Sequence, residues 1–120
     1  MRRRRNSFLR TLELFRDVNP AFVVTDLIVF MYICENEGLT IKELAGVARL
    51  TEATASRRAR LLGTEETLGV LPEGAGLIEL LSCPADGRAR LLYLTEPGRV
   101  LRDQIADLIS QARPIAAPLV

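Results

Sequence analysis

Residues 39–62 read LTIKELAGVARLTEATASRRARLL, and their spacing decides the fold. Thr40 and Glu43 stand three apart as a capping box, in which the hydroxyl takes the free amide of the first turn and the carboxylate reaches back to the cap. They predict a short helix carrying Leu44, Ala45 and Val47 to about Ala48. Only Arg49 and Leu50 intervene before Thr51, a second cap, which opens a helix over 52–62. Two short helices joined so tightly are the outline of a helix-turn-helix. In the second helix Ala55, Ala59 and Leu62 recur at spacings of four and three, which makes a narrow inner face. Ala53, Arg57 and Arg60 then point away from it, and Thr54, Ser56 and Arg58 fall on the flanks.

Upstream, a helix starting near Ser7 presents Phe8, Leu12 and Phe15 as one apolar stripe and ends before Asn19. Asn19 followed by Pro20 carries the signal of a helix start, an oxygen for the free amides and then a ring whose φ suits the first turn. The helix this predicts runs to about Glu37. Val23, Val24, Leu27, Ile28, Phe30, Met31, Ile33 and Cys34 cover most of its circumference, which places it at the centre of the fold. Gly38 supplies a left-handed stop.

Downstream, Leu77–Cys83 and Arg88–Leu94 read as strands joined by Pro84-Ala85-Asp86-Gly87, whose Asp-Gly step is a turn signal. Hairpin 77–94 thus carries Arg88 and Arg90 beside its tip. Thr95 caps a last helix with Glu96 and Pro97 in its first turn and Leu101, Ile105, Leu108 and Ala112 as its stripe, closed by Pro114. The expected fold is mainly α with a small β-hairpin wing, an α+β winged helix-turn-helix filling 1–120 as one domain. The stripes of the first and last helices exceed what one small domain covers, so 1–18 and 96–113 are expected to dimerise two copies of the chain.

Composition narrows the chemistry. The chain has 120 residues and no histidine, so no Ser/His/Asp or Cys/His set exists, and no phosphate-cradling glycine loop appears; an enzyme is not expected. Cys34 and Cys83 are far apart and in no metal-ligand spacing, which leaves idle thiols or, on the sharper reading, a peroxide-sensing thiol of low pKa. No cofactor or metal is expected. The apolar run Leu27–Cys34 is too short for a bilayer, and the arginines at 2–5 are not followed by an apolar signal core, so a cytoplasmic protein is expected. The formal net charge is only +1, yet of 16 basic residues only Lys42 is lysine. Four arginines, at 49, 57, 58 and 60, face a single Glu52 within 49–60. Arginine suits phosphate and guanine contacts.

Five features occur in order: Leu39-Thr40-Ile41-Lys42-Glu43-Leu44-Ala45, Thr54-Ala55-Ser56-Arg57, Gly76-Leu77-Ile78, Asp86-Gly87-Arg88-Ala89 and Leu94-Thr95-Glu96-Pro97-Gly98. Over roughly residues 20–110 this pattern resembles the MarR family of bacterial transcription regulators. The resemblance implies a homodimer on double-stranded DNA, with helix 52–62 in the major groove and the hairpin at the flanking minor groove. The candidate contact residues are Thr51, Ala53, Thr54, Ser56, Arg57, Arg58 and Arg60 on the helix and Arg88 and Arg90 on the wing, with Asp86 orienting Arg88. A small aromatic or phenolic effector between the DNA-binding lobes and the dimerisation helices is also implied, although no residue identifies one. Two departures stand out: the link 63–75 is longer than usual, and the chain ends soon after Pro114, before a further C-terminal helix.

Because a fold does not fix a function, the competing reading is a winged-helix protein-interaction module, an adaptor or anti-regulator without DNA binding. Arginines on both the helix and the hairpin favour DNA, since an adaptor needs neither basic surface. Alanine at 53, 55 and 59 leaves fewer base-edge hydrogen bonds, so specificity leans on Arg57, Arg60 and DNA shape.

Overall fold

The computed structural model describes residues 7–63, 75–83, 85 and 89–110. Within them the chain runs α1 (Ser7–Val18), α2 (Val24–Glu35), β1 (Leu39–Thr40), α3 (Ile41–Ala48), α4 (Glu52–Leu62), β2 (Ile78–Ser82), β3 (Arg90–Leu94) and α5 (Glu96–Ser110). This is the expected winged helix-turn-helix. The three strands form one antiparallel sheet in the order β1-β3-β2.

Both predicted caps of the helix-turn-helix form. The Glu43 amide donates to Thr40 Oγ1 at 3.1 Å while the Thr40 amide donates to Glu43 Oε1 at 3.1 Å. Thr51 Oγ1 accepts the Thr54 amide, also at 3.1 Å. Between them α3 closes in a Schellman turn: the Leu50 amide reaches the Ala45 carbonyl at 2.9 Å and Arg49 takes the left-handed conformation, φ 58°. A residue with a Cβ is less suited there than glycine, and the cost is of order 1 kcal/mol.

Helix α2 departs from the expectation at both ends. It starts at Val24, not at Pro20, and stops at Glu35, short of Glu37. Asn19 and Pro20 carry the signal of a β-turn as well as that of a helix start, and the turn wins. Asn19 Oδ1 accepts from the Ala21 amide at 2.9 Å, and its carbonyl accepts from the Phe22 amide at 3.1 Å. The cap comes instead from inside the helix, where Asp26 Oδ2 accepts the Val23 amide at 2.9 Å. Gly38 does adopt a positive φ, 96°, but it steers the chain into the unforeseen strand β1, its amide bound to the Leu92 carbonyl at 2.8 Å. Glu37 Oε1 secures the same corner by accepting the Leu94 amide at 2.8 Å.

The core is continuous. Phe15, Val29, Phe30, Ile33, Leu44, Ala55, Ala59, Leu62, Ile78, Leu92, Leu94 and Ile105 are fully buried or nearly so. Phe15 meets the Phe30 ring edge-on, centroids 5.4 Å apart, and so anchors α1 to α2. The wing strands are shorter than read, with Ile78 opposite Leu94 and Ser82 opposite Arg90. Asp86, Gly87 and Arg88 lie outside the described residues.

The long link is stitched shut at its base. Amides of Ala75, Gly76 and Leu77 donate to the carbonyls of Leu61, Gly63 and Leu62 at 3.0, 2.8 and 2.8 Å, so the chain leaves α4 and re-enters β2 side by side. Residues 64–74 of the link lie outside the described residues.

The joint between sheet and α5 explains the Thr-Glu-Pro-Gly sequence. Thr95 Oγ1 donates to the Gly76 carbonyl and accepts the Gly98 amide at 3.2 Å, while the Thr95 amide donates to the Leu77 carbonyl at 3.1 Å. A Cβ on Gly98 would stand 2.0 Å from the Leu77 carbonyl oxygen, which is backbone and cannot step aside. Gly98→Ala is therefore expected to lower unfolding stability by about 2–4 kcal/mol, in the range of severe overpacking. Gly46, on α3 with open space at its Cβ, is the opposite case. Gly46→Ala is expected to raise stability by about 0.5–1 kcal/mol. Urea melts of the two variants and the wild type decide both; equal midpoints would refute the packing of α5 on Leu77.

Candidate nucleic-acid interface

Helix α4 sorts its side chains by size. Ala55, Ala59 and Leu62 are fully buried on the inner face of α4, which packs on α2 and α3, and the long Arg57 and Arg60 face outward. Thr51, Ala53, Arg57 and Arg60 are exposed; Thr54 and Ser56 are half-buried. The Thr51 hydroxyl also donates to Thr54 Oγ1 at 3.0 Å, so both threonines are engaged in starting the helix. Arg60 lies in the last turn, where a cation also suits the partial negative charge of the helix end.

Arg58 behaves differently from the other helix candidates. Its guanidinium turns back to α2, 3.6 Å from Asp26 Oδ1, and the side chain is largely covered while Asp26 is 1% exposed. The sequence position on a flank of α4 was compatible with this, but the partner was not identified. The available signal was Asp26 itself, the single acid inside the apolar run from Val23 to Cys34. Arg49, which is not among the candidate contacts, is exposed in the turn between the two helices.

On the wing, Arg90 is exposed and donates to Ser82 Oγ on the opposite strand at 2.8 Å. Arg88 and Asp86 fall outside the described residues, so the orienting role expected of Asp86 is not addressed by the geometry. The structure brings the α4 residues onto one face, with Arg58 withdrawn from it.

A separate apolar groove of about 900 Å³ lies between α1, α2 and α5. Phe8, Val24, Ile28 and Ile109 line it, 73%, 70%, 44% and 60% exposed. The predicted stripes are only partly spent on the core: Phe15, Leu101 and Ile105 are buried, whereas Phe8 is not. Ala112 lies outside the described residues. Among the described residues no helix is long and apolar enough to cross a membrane, and no group of three or more metal-ligating side chains forms.

Of the two thiols, Cys34 sits half-buried on α2. Burial pushes it from an ordinary 9 up to about 12, against a weaker opposing pull from Arg102. A thiol so shifted is almost wholly protonated at neutral pH, which is the reverse of a peroxide-reactive thiolate.

No family model matches the chain, and no curated protein is similar to it in sequence. Solved structures do share its architecture. The S. aureus MepR–DNA complex superposes with a TM-score of 0.66 at 20% identity, covering 88% of this chain and 74% of that one. A MarR transcriptional regulator from Methanosarcina mazei Go1 gives 0.62 at 16% identity, over 85% and 63%. Bordetella bronchiseptica BpsR, solved to explain regulation of its DNA binding by 6-hydroxynicotinic acid, gives 0.57 at 18%, over 88% and 69%. The chain thus spans 63 to 74% of the length of these three. It has a winged helix-turn-helix fold. More narrowly, that fold is the one seen in MarR-type regulators.

The raised Cys34 pKa has a stability consequence with a definite sign. Because the folded state holds the thiol proton more tightly than the unfolded one, the contribution is full below about pH 9 and is lost as pH rises toward 12. Comparing wild type with Cys34→Ala by chemical denaturation removes the other alkaline titrations, which both share. The wild type is expected to lose stability relative to the variant between pH 9 and 11, and a constant difference across that range would contradict the burial of this thiol.

Proposed function

We propose that this chain is a sequence-specific DNA-binding transcription regulator of MarR-like type. The observation that carries the reading is the outward face of α4: an exposed set of Thr51, Ala53, Arg57 and Arg60 on a rigidly capped helix that follows a Schellman turn. A helix so presented fits the major groove, where arginine pairs bidentately with guanine. Thr54 and Ser56 stand at its margins. Arg88 and Arg90 on the wing supply positive charge for the flanking minor groove, with Asp86 orienting Arg88. The chain works where it meets DNA, in the cytoplasm, and carries no catalytic role.

The partner in this reading is a second copy. The groove between α1, α2 and α5 exposes four large apolar side chains, more than a lone domain of this size leaves in water without purpose, and a two-fold interface covers both copies at once. Segments 1–18 and 96–113 would form it. BpsR, whose DNA binding responds to 6-hydroxynicotinic acid, supports a second use of the region as an effector site. The groove's nearly uniform apolar lining suits an aromatic molecule.

Arg57→Ala is expected to cost about 1–3 kcal/mol per half-site and to relax discrimination at one base pair. Arg88→Ala, acting electrostatically, is expected to weaken binding on most sequences and to flatten the salt dependence. Gel shifts and salt titrations on the DNA upstream of the gene, with one-base variants, measure both. If both variants bind every duplex as the wild type does, the interaction-module reading replaces this one. Light scattering at micromolar concentration is expected to give a dimer, and a monomer of 13.3 kDa would refute the proposed interface.

A further inference from the structure

Arg58 of α4 and Asp26 of α2 form an ion pair between the two helices. Asp26 is 1% exposed in an otherwise apolar stretch of α2, its Oδ2 is spent on the Val23 amide, and its Oδ1 has no hydrogen bond, only the Arg58 guanidinium at 3.6 Å. Capping α2 accounts for the Asp26 carboxylate but not for an arginine of α4 as its counter-ion, and because a buried ion pair is weak evidence of added stability, the cross-helix partner calls for a further reason. The inner stripe of α4 suggests one. Leu62 and the backbone bonds to residues 61–63 hold the C-terminal end of α4, whereas over its first two turns Ala55 and Ala59 are smooth contacts that let the helix lie close but give its neighbours little to grip, so side-chain packing there does little to set the roll of the helix. Arg58 lies about 60° round the helix from Ala55, at the edge of that stripe, and its partner is on a different helix. A roll of about 10° moves a side-chain tip some 6 Å from the axis by about 1 Å, enough to break a base-edge hydrogen bond.

We infer that the Arg58–Asp26 pair sets the roll of α4 and so aims Arg57 and Arg60, Arg58 being a positioning residue and not a DNA contact. The inference rests on the DNA-binding reading above. It is tested with Arg58→Met, which keeps the aliphatic stem, Asp26→Asn, which keeps an oxygen for the Val23 amide, the double variant, and Arg58→Lys, which keeps the charge. Each is melted to confirm folding and then titrated on the best operator and its one-base variants at several salt concentrations. Arg58→Met and Asp26→Asn are each expected to weaken operator binding about tenfold, the double variant no more than either, as in a coupled pair. Discrimination between operators falls, the salt slope is unchanged, and Arg58→Lys restores most of the binding. A salt slope reduced by about one in Arg58→Met, with Asp26→Asn binding normally, makes Arg58 a phosphate contact and overturns the inference. So does wild-type binding by both single variants while Arg57→Ala loses affinity, an outcome that leaves the DNA reading standing. Absence of any duplex binding by the wild type removes both.

Discussion

Everything on the outer surface of α4 depends on two methyl groups. Ala55 and Ala59 are completely buried, and because nothing larger than a methyl group stands on the inner face of α4 until Leu62 in its last turn, the first turns of the helix are drawn close to their neighbours. A leucine at either position would have to push the helix outward or distort the core, at a cost of about 1–3 kcal/mol. With Ala55 and Ala59 on the inner face, Arg57 and Arg60 are left on the outside. The basic face is therefore as much a result of core packing as of any selection for charge.

That constraint also explains why the helix-turn-helix is rigid although its parts are short. Helices of eight and eleven residues are marginal in isolation. Here α3 is held at its start by the Thr40–Glu43 exchange and at its end by the Schellman turn, and α4 starts on Thr51 three residues later. At the far end α4 is tied to the wing by three backbone hydrogen bonds from Ala75, Gly76 and Leu77. Helix and wing are therefore joined directly through backbone hydrogen bonds.

The elements that could be read in the residues are those whose signals admit one interpretation. Thr40, Glu43 and Thr51 sit at cap spacings that no strand or loop would reward, and Ala55, Ala59 and Leu62 repeat at the helical period. Asn19-Pro20 failed as a helix start because a β-turn uses the same two residues for the same local bonds, and the outcome is set by where the chain must go next. Strand β1, two residues long, has no periodicity to detect; it exists because Leu39 and Thr40 lie beside Leu92 and Leu91 in the folded sheet. The candidate face followed a similar division. Outward positions come from angle alone, which served for Ala53, Arg57 and Arg60, whereas a flank position such as Arg58 is decided by a partner 32 residues away that angle cannot reveal.

Charge is where the difference matters most. Counted along the sequence, 49–60 holds four arginines against one glutamate, but once Arg58 is neutralised by a buried carboxylate the turn and α4 present Arg49, Arg57 and Arg60 to solvent. Three cations on one edge of a protein with a net charge of only +1 form a local field that falls off within about 10 Å at ordinary salt, so they act at contact range and not as long-range steering. With Ala53 on the outer face and only the short Thr54 and Ser56 at its margins, base readout on this helix has few long polar side chains to draw on. The accuracy with which those few are aimed then carries more of the specificity than their number, which is why the orientation of α4 on α2 is a functional variable and not merely a packing detail.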